Sequence, residues 1–175
     1  MTDPFPPLTL VLGGIASGKS DFAERLIAAS GLPPTYIATA EARDAEMAEK
    51  ISAHKARRGA EWRNLEAPMD LADAILLEES GMVLVDCLSM WLTNHLLAES
   101  DLEAEFMQLL NAIDAAKTPL VIVSNEVGLG GIAADTLTRR FAEKQGEINR
   151  LIAAQADKVV LVSAGIAQVL KGRHA

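Results

Sequence analysis

Eight consecutive residues near the start of the chain match a phosphate-binding pattern. The run Gly13-Gly14-Ile15-Ala16-Ser17-Gly18-Lys19-Ser20 fits G-x-x-x-x-G-K-[ST]. Glycines let the backbone curl so that its N–H groups point inward at phosphate oxygens. Lys19 would reach the β- and γ-phosphates as a catalytic cation, and the Ser20 hydroxyl would ligate Mg²⁺. A glycine-rich turn with an exposed lysine is the alternative, but a predicted strand before the run and a helix after it favour a site for ATP or GTP.

A second candidate metal ligand follows a buried strand. Residues 82–85 are an unbroken apolar run, typical of a strand covered on both faces, and Asp86 comes directly after them. An acid at this position near a phosphate loop is typical of a Walker-B residue, which binds Mg²⁺ directly or through water. An ordinary strand-end or capping role is the alternative. We expect Asp86 to share the metal with Ser20.

Positive charge is concentrated around one histidine. His54 ends a predicted amphipathic helix and is followed by Lys55, Arg57 and Arg58. From the residues alone, a packed or capping histidine is the simpler interpretation, and the basic residues could form a solvated turn. Imidazole is nevertheless a competent nucleophile at neutral pH, since its usual pKa is about 6.5. The basic residues would suit a triphosphate or a departing pyrophosphate.

A polar loop follows another predicted core strand. Asn125, Glu126 and Gly128 come after the apolar run 120–123. They would therefore lie at the sheet edge where α/β proteins bind ligands. We expect substrate contact or water positioning here, with a satisfied loop turn as the alternative.

The elements that must position these residues alternate between strands and helices. This pattern predicts an α/β fold whose mostly parallel sheet has helices on both faces. The 175 residues suit a single domain, with residues 1–7 as a loose N-terminal tail. The predicted strands are 8–12, 36–38, 82–85, 120–123 and 158–162, and the predicted helices are 17–30, 44–55, 70–81, 88–98, 101–116 and 136–156.

Composition excludes several classes of partner. The chain has 24 acidic and 16 basic residues, a formal net charge of −8, which argues against binding to nucleic acid or an anionic membrane surface. No apolar stretch is long enough to insert into a membrane, and the first residues do not resemble a secretion signal, so we expect the cytoplasm. The single cysteine, Cys87, has no disulfide partner and is expected to be a small buried apolar residue.

Several motifs together carry a family resemblance. Besides the phosphate loop, these are the run Tyr36-Ile37-Ala38-Thr39, the segment around His54 that continues to Trp62 and Glu66, and the run Ser124-Asn125-Glu126-Val127-Gly128. From about Leu8 to Leu170 the chain resembles the bifunctional adenosylcobinamide kinase / adenosylcobinamide-phosphate guanylyltransferase family. The resemblance implies a RecA-like P-loop fold and a homo-oligomer, most simply a trimer.

The resemblance also implies two reactions of cobalamin biosynthesis. ATP or GTP would phosphorylate the aminopropanol hydroxyl of adenosylcobinamide, and GMP would then pass from GTP to that phosphate through a guanylyl-histidine at His54, giving adenosylcobinamide-GDP. An ordinary small-molecule P-loop kinase and a P-loop ATPase or regulatory module are the alternatives. The implied nucleotide contacts are Gly13 to Ser20, Ala38, Thr39, Ala40, Lys55, Ala56, Arg57, Arg58, Glu66 and Asp86.

Overall fold

The computed structural model describes residues 5–41, 49, 59–131 and 133–172. Seven strands and five helices are described, together with a short 3₁₀ turn at Gly128–Gly130. The strands are β1 (Leu8–Gly13), β2 (Pro34–Ala38), β3 (Arg63–Glu66), β4 (Met82–Asp86), β5 (Leu120–Asn125), β6 (Lys158–Ser163) and β7 (Ile166–Lys171). The helices are α1 (Lys19–Ala28), α2 (Leu71–Leu76), α3 (Leu88–Leu97), α4 (Leu102–Asp114) and α5 (Thr136–Gln155).

All seven strands join one sheet in the order β3-β2-β4-β5-β1-β6-β7. The first six run parallel, and β7 pairs antiparallel with β6. The apolar runs in β1, β4 and β5 form the centre, because a parallel strand with helices on both sides must bury both of its faces. The predicted α/β class and mostly parallel sheet are confirmed.

Two apolar cores lie on opposite faces of the sheet. Leu10 belongs to the core that contains residues of α2 to α5, whereas the next residue, Val11, belongs to the core beneath α1. Both are fully buried. Consecutive strand residues point to opposite faces, so one continuous apolar strand supplies both cores. This arrangement confirms the prediction of helices on both faces.

Element boundaries differ from the sequence-based predictions at several places. Strands β3 and β7 were not predicted, and α2 ends at Leu76 instead of near Gly81. Helix α1 begins at Lys19, two residues after the predicted start at Ser17, because Gly18 has a left-handed backbone and stands at the N-cap. Asp101, predicted as the first residue of α4, is instead its N-cap and accepts from the amides of the first turn. The predicted helix over 44–55 falls almost wholly outside the described residues.

The start of the described chain is attached to the body of the protein. Phe5 packs against the core beneath α1, and the Pro7 carbonyl accepts a hydrogen bond from the Leu120 amide at 2.8 Å. These contacts involve the end of the segment that we predicted to be a loose tail. None of the described helices is both long and apolar enough to cross a membrane.

Candidate active site

The predicted site residues lie along one edge of the sheet. Six parallel strands end there, and five of them carry the predicted site residues. The register places Gly13 opposite Asn125, and Ala38 between Asp86 and Glu66, two residues further back along the strands because Asp86 pairs with Val123. Neighbouring strands are about 4.8 Å apart, so the distance across the sheet from β1 to β3 is roughly 19 Å over four strand spacings. The fold therefore places residues from distant parts of the sequence within the span of a single extended ligand.

The phosphate loop needs glycine at two positions. A Cβ on Gly13 would lie 2.3 Å from the Val162 carbonyl oxygen, so no side chain fits there. Gly18 has φ of +95° and stands at the N-cap of α1, where no side chain caps the helix. The free amides of the first turn, with the positive end of the helix dipole, form a site suited to an anion.

Lys19 lies inside this loop. It is only 8% exposed, and its Nζ donates to the Gly14 carbonyl at 2.6 Å. Burial lowers the pKa of Lys19 below its usual range, while the nearby Asp86 carboxylate acts in the opposite direction. The Ser17 hydroxyl is also buried and has no hydrogen-bond partner among the described residues. The loop thus contains a poorly solvated cation and an unpaired hydroxyl.

Asp86 lies near Lys19 although β4, which ends in Asp86, does not pair with β1, the strand that leads into the phosphate loop. Strand β5 is inserted between β1 and β4, so Asn125 ends the strand between the phosphate loop and Asp86. The pKa of the adjacent Cys87 thiol is raised to about 11, mainly by burial and secondly by the Asp86 carboxylate. The half-buried Cys87 packs against the core beneath α1 as a protonated thiol, which agrees with the expected apolar role.

The Thr39 side chain makes its hydrogen bonds to other residues of the protein. Its hydroxyl donates to the Cys87 carbonyl at 2.6 Å and accepts from the Cys87 amide at 3.0 Å. Asn94 donates to the Thr39 carbonyl at 2.9 Å and also to that of Pro68 at 2.9 Å. The Thr39 side chain, fully buried, is therefore occupied by the segment that follows Asp86. Ala38 and Ala40, on either side, are partly exposed at the same edge.

Side chains from two helices hold the backbone of Asn125. Its amide donates to the Ser89 hydroxyl at 3.0 Å, and its carbonyl accepts from Asn149 Nδ2 at 3.0 Å. The next residue, Glu126, donates its amide to the Gly13 carbonyl at 2.9 Å, while its carboxylate accepts from the Gly128 amide at 2.7 Å. The loop after β5 is thus fastened directly to the phosphate loop.

A buried polar network joins the end of β5, just before this loop, to helix α5. Ser124 donates to Asn149 Oδ1 at 2.6 Å, and Gln145 Nε2 donates to both of these residues. The roles of Gln145, Asn149 and Ser89 in holding this loop were not predicted from the sequence. The available signal was a pair of amide residues four positions apart on the buried side of α5, where an apolar stripe would be expected.

Part of the predicted site lies outside the described residues, namely His54, Lys55, Ala56, Arg57 and Arg58. Glu66 is exposed at the end of β3, and Ser20 is half-buried in the first turn of α1. In the described part of the chain, no group of three or more His, Cys, Asp or Glu side chains could hold a metal ion. A magnesium site is compatible with this, because Mg²⁺ usually takes one or two protein oxygens together with water and substrate phosphates.

Comparison with known proteins identifies the family. Residues 9–170 match the family model described as cobinamide kinase / cobinamide phosphate guanyltransferase. The bifunctional adenosylcobalamin biosynthesis protein CobP of Pseudomonas aeruginosa is 45% identical over 167 residues, covering 93% of this chain and 96% of CobP. The corresponding protein CobU of Salmonella typhimurium is 36% identical, covering 94% of this chain and 99% of CobU.

A solved structure supports the fold. The P4 protein from bacteriophage phi6, in complex with ADP, aligns with a TM-score of 0.51 at 16% identity, over 93% of this chain and 53% of P4. This likeness agrees with the predicted RecA-like P-loop fold. The match to the family model over nearly the whole chain, with the two relatives, shows that the protein belongs to the cobinamide kinase / cobinamide phosphate guanyltransferase family.

Proposed function

We propose that this protein phosphorylates adenosylcobinamide at the phosphate loop and then transfers GMP from GTP to the new phosphate. The observation that carries the proposal is the shared carboxyl edge of the sheet, where Gly13 lies opposite Asn125, and Asp86, Ala38 and Glu66 lie side by side two residues further back along the strands. It offers a cradle for phosphates at one end and room for a nucleoside toward the other.

In the kinase step, the protein positions the donor and neutralises charge. The amides at the start of α1 and the Lys19 cation hold the β- and γ-phosphates, and Asn125 and Glu126 border the place from which the alcohol approaches. Ser20 and Asp86 supply the hydroxyl and carboxylate oxygens that Mg²⁺ prefers, at the two sides of this cradle. When bound, the ion would neutralise charge on the transferring phosphoryl group.

In the guanylyl step, His54 acts as the nucleophile. Its imidazole nitrogen attacks the α-phosphorus of GTP, a P–N bond forms, and pyrophosphate leaves toward Lys55, Arg57 and Arg58. A phosphate oxygen of adenosylcobinamide-phosphate then attacks the same phosphorus, and the histidine leaves. The nucleoside would lie by Ala38, Ala40 and the backbone of Thr39, with Glu66 beyond. This assignment rests on the resemblance and on the position of 38–40 beside Asp86. The resemblance also assigns a nucleotide contact to Ala56, which lies outside the described residues.

A variant of His54 separates the two activities. His54→Ala should lose transfer of GMP and covalent labelling by α-labelled GTP, yet phosphorylate adenosylcobinamide, because phosphoryl transfer needs no nucleophilic side chain. The measurement is product mass together with acid-labile, alkali-stable label on the protein. His174→Ala, a histidine with no proposed role, is the control.

Other outcomes distinguish the alternatives. If the wild-type protein phosphorylates the corrinoid but never takes up label, an ordinary small-molecule kinase is the better assignment. Release of phosphate from ATP without any corrinoid product would instead indicate an ATPase or regulatory module. Label that persists in His54→Ala would place the nucleophile on another residue.

We also propose that the protein is a homotrimer. The resemblance implies this state, and the edge strand β7 exposes the apolar side chains of Ile166 and Leu170, at 73% and 54% exposed. A second chain could cover such an edge.

A further inference from the structure

A groove opens beside the phosphate loop, between α5 and the end of β1. Its volume is about 420 Å³, and the residues that define it include Leu12, Glu126, Ala142, Glu143, Gly146 and Arg150. We call it the α5 groove. Leu12 directly precedes Gly13, and the Glu126 amide is bonded to the Gly13 carbonyl. The groove therefore starts within one residue of the phosphate cradle.

A glycine in the middle of α5 has no explanation within the described fold. Gly146 is exposed and lies in the interior of a 20-residue helix, where glycine is less favourable than alanine. A Cβ placed on it would meet no described atom within 4 Å outside its own helix backbone, and its φ is not positive. Alanine would fit at position 146 in the folded chain, so the absence of a side chain there leaves space for a bound molecule.

The groove has the chemistry to hold an amide-rich cation. Glu126 and Glu143 supply carboxylates, although one oxygen of Glu126 accepts from the Gly128 amide, and Arg150 supplies a guanidinium. The Glu147 carboxylate also lines the groove but is paired with Lys144 at 2.7 Å. A corrinoid has several primary amides at its rim, which both donate and accept hydrogen bonds, and its trivalent cobalt gives the ring positive charge. The wall is firm, because Asn149, which also lines the groove, is fixed by Ser124 and Gln145.

We propose that the α5 groove binds one edge of the cobinamide acceptor, with Gly146 giving the ring close approach to the helix. The hydroxyl arm then reaches past Glu126 to the phosphate loop. This inference rests on the proposed kinase activity and assigns the second substrate of that reaction to a place in the fold.

Gly146 allows a test in which stability and binding move in opposite directions. Gly146→Ala should raise the melting temperature by roughly 2–4 °C, yet raise the KM for adenosylcobinamide and its Kd in equilibrium dialysis. Gly146→Leu should raise both binding constants by about tenfold or more, as expected for overfilling a fitted site. The KM for ATP should stay unchanged in both. Ala154→Leu, an exposed position on the same helix outside the groove, should change neither corrinoid constant.

Two results would count against the inference, and a third separates it from the proposed function. If Gly146→Leu keeps wild-type KM and Kd for adenosylcobinamide, the acceptor binds elsewhere. If Gly146→Leu changes the oligomeric mass in light scattering, the groove is a contact between copies of the chain. If the wild-type protein does not phosphorylate adenosylcobinamide at all, the proposed function fails first, and the dialysis arm then shows separately whether the corrinoid binds.

Discussion

The Thr39 hydroxyl joins two loops that lie 48 residues apart in the sequence. The family resemblance, which covers the run from Ala38 to Ala40, implied that this residue contacts the nucleotide. The structure shows that its side chain holds both backbone groups of Cys87, the residue after Asp86. Thr39 is therefore a positioning residue: it fixes the candidate metal ligand relative to the segment that leads toward His54.

A pair of substitutions isolates this role. Thr39→Val leaves the Cys87 amide and carbonyl unpaired in a buried place, which should cost about 2–4 kcal/mol of unfolding free energy. It should also raise the Mg²⁺ concentration needed for half-maximal kinase activity. Thr39→Ser keeps the hydroxyl and should restore the Mg²⁺ dependence. Urea unfolding and Mg²⁺ titrations of activity measure the two effects; identical titrations for the Val and Ser variants would show that the hydroxyl does not position Asp86.

The site residues that belong to local sequence motifs were predictable, whereas the residues that hold them in place were not. Lys19 and Asp86 occur within recognisable local patterns, a phosphate loop and the end of an apolar strand. Ser89 and Asn149 act only through the backbone of Asn125, which is distant from both in the sequence. Local sequence patterns hold no information on such pairings, since they depend on how helices pack over the sheet.

At the scale of elements, the β6–β7 hairpin supports the phosphate loop from one side. Ser163 pairs with Ile166, leaving the two-residue turn Ala164-Gly165, with φ of 51° and 77°. The Gly165 amide donates to the Ser17 carbonyl at 2.9 Å. Two positive φ angles are typical of a type I′ turn, which favours Asn-Gly because alanine is strained in the left-handed region.

This turn offers a stabilising substitution. Ala164→Asn should relieve the left-handed strain and raise the unfolding free energy by about 0.5–1 kcal/mol, a shift of roughly 1–4 °C in melting temperature. Ala167→Asn, at an exposed position within β7, is the matched control and should give no gain, because asparagine is poor in strands. Thermal unfolding followed by circular dichroism checks both. A wild-type melting temperature for Ala164→Asn would mean that the turn is not strained.

The same hairpin shows why two strands escaped prediction. β7 follows an Ala-Gly turn, which lacks the usual Asn-Gly or Asp-Gly signal. β3 has the sequence Arg-Asn-Leu-Glu, with only Leu65 partly buried, and pairs on one side with β2. The edge strands β3 and β7 are mostly exposed, so their sequences need no continuous apolar run. The central strands β1, β4 and β5 were predictable because burial on both faces demands such runs.

At the scale of the whole molecule, the proposed trimer predicts a measurable mass. Light scattering at micromolar concentration should give about 56 kDa, three times the 18.6 kDa chain. If β7 contributes to the contact, Ile166→Lys should lower this mass, since a charge replaces a largely exposed apolar side chain at the edge. Lys158→Ala serves as a control on the neighbouring strand. A wild-type mass of one chain would contradict the trimer.

The strand order also governs how the protein can be made. β1, which leads into the phosphate loop, leaves the ribosome before its partners β5 and β6, which begin at Leu120 and Lys158. Until those arrive, the loop has no sheet beneath it, and both edges of an apolar strand are open to wrong pairing. Nucleotide binding should therefore appear only after β6 has been synthesised. A nascent chain stopped before β6 would contain every residue of the phosphate motif and still lack the scaffold that shapes it.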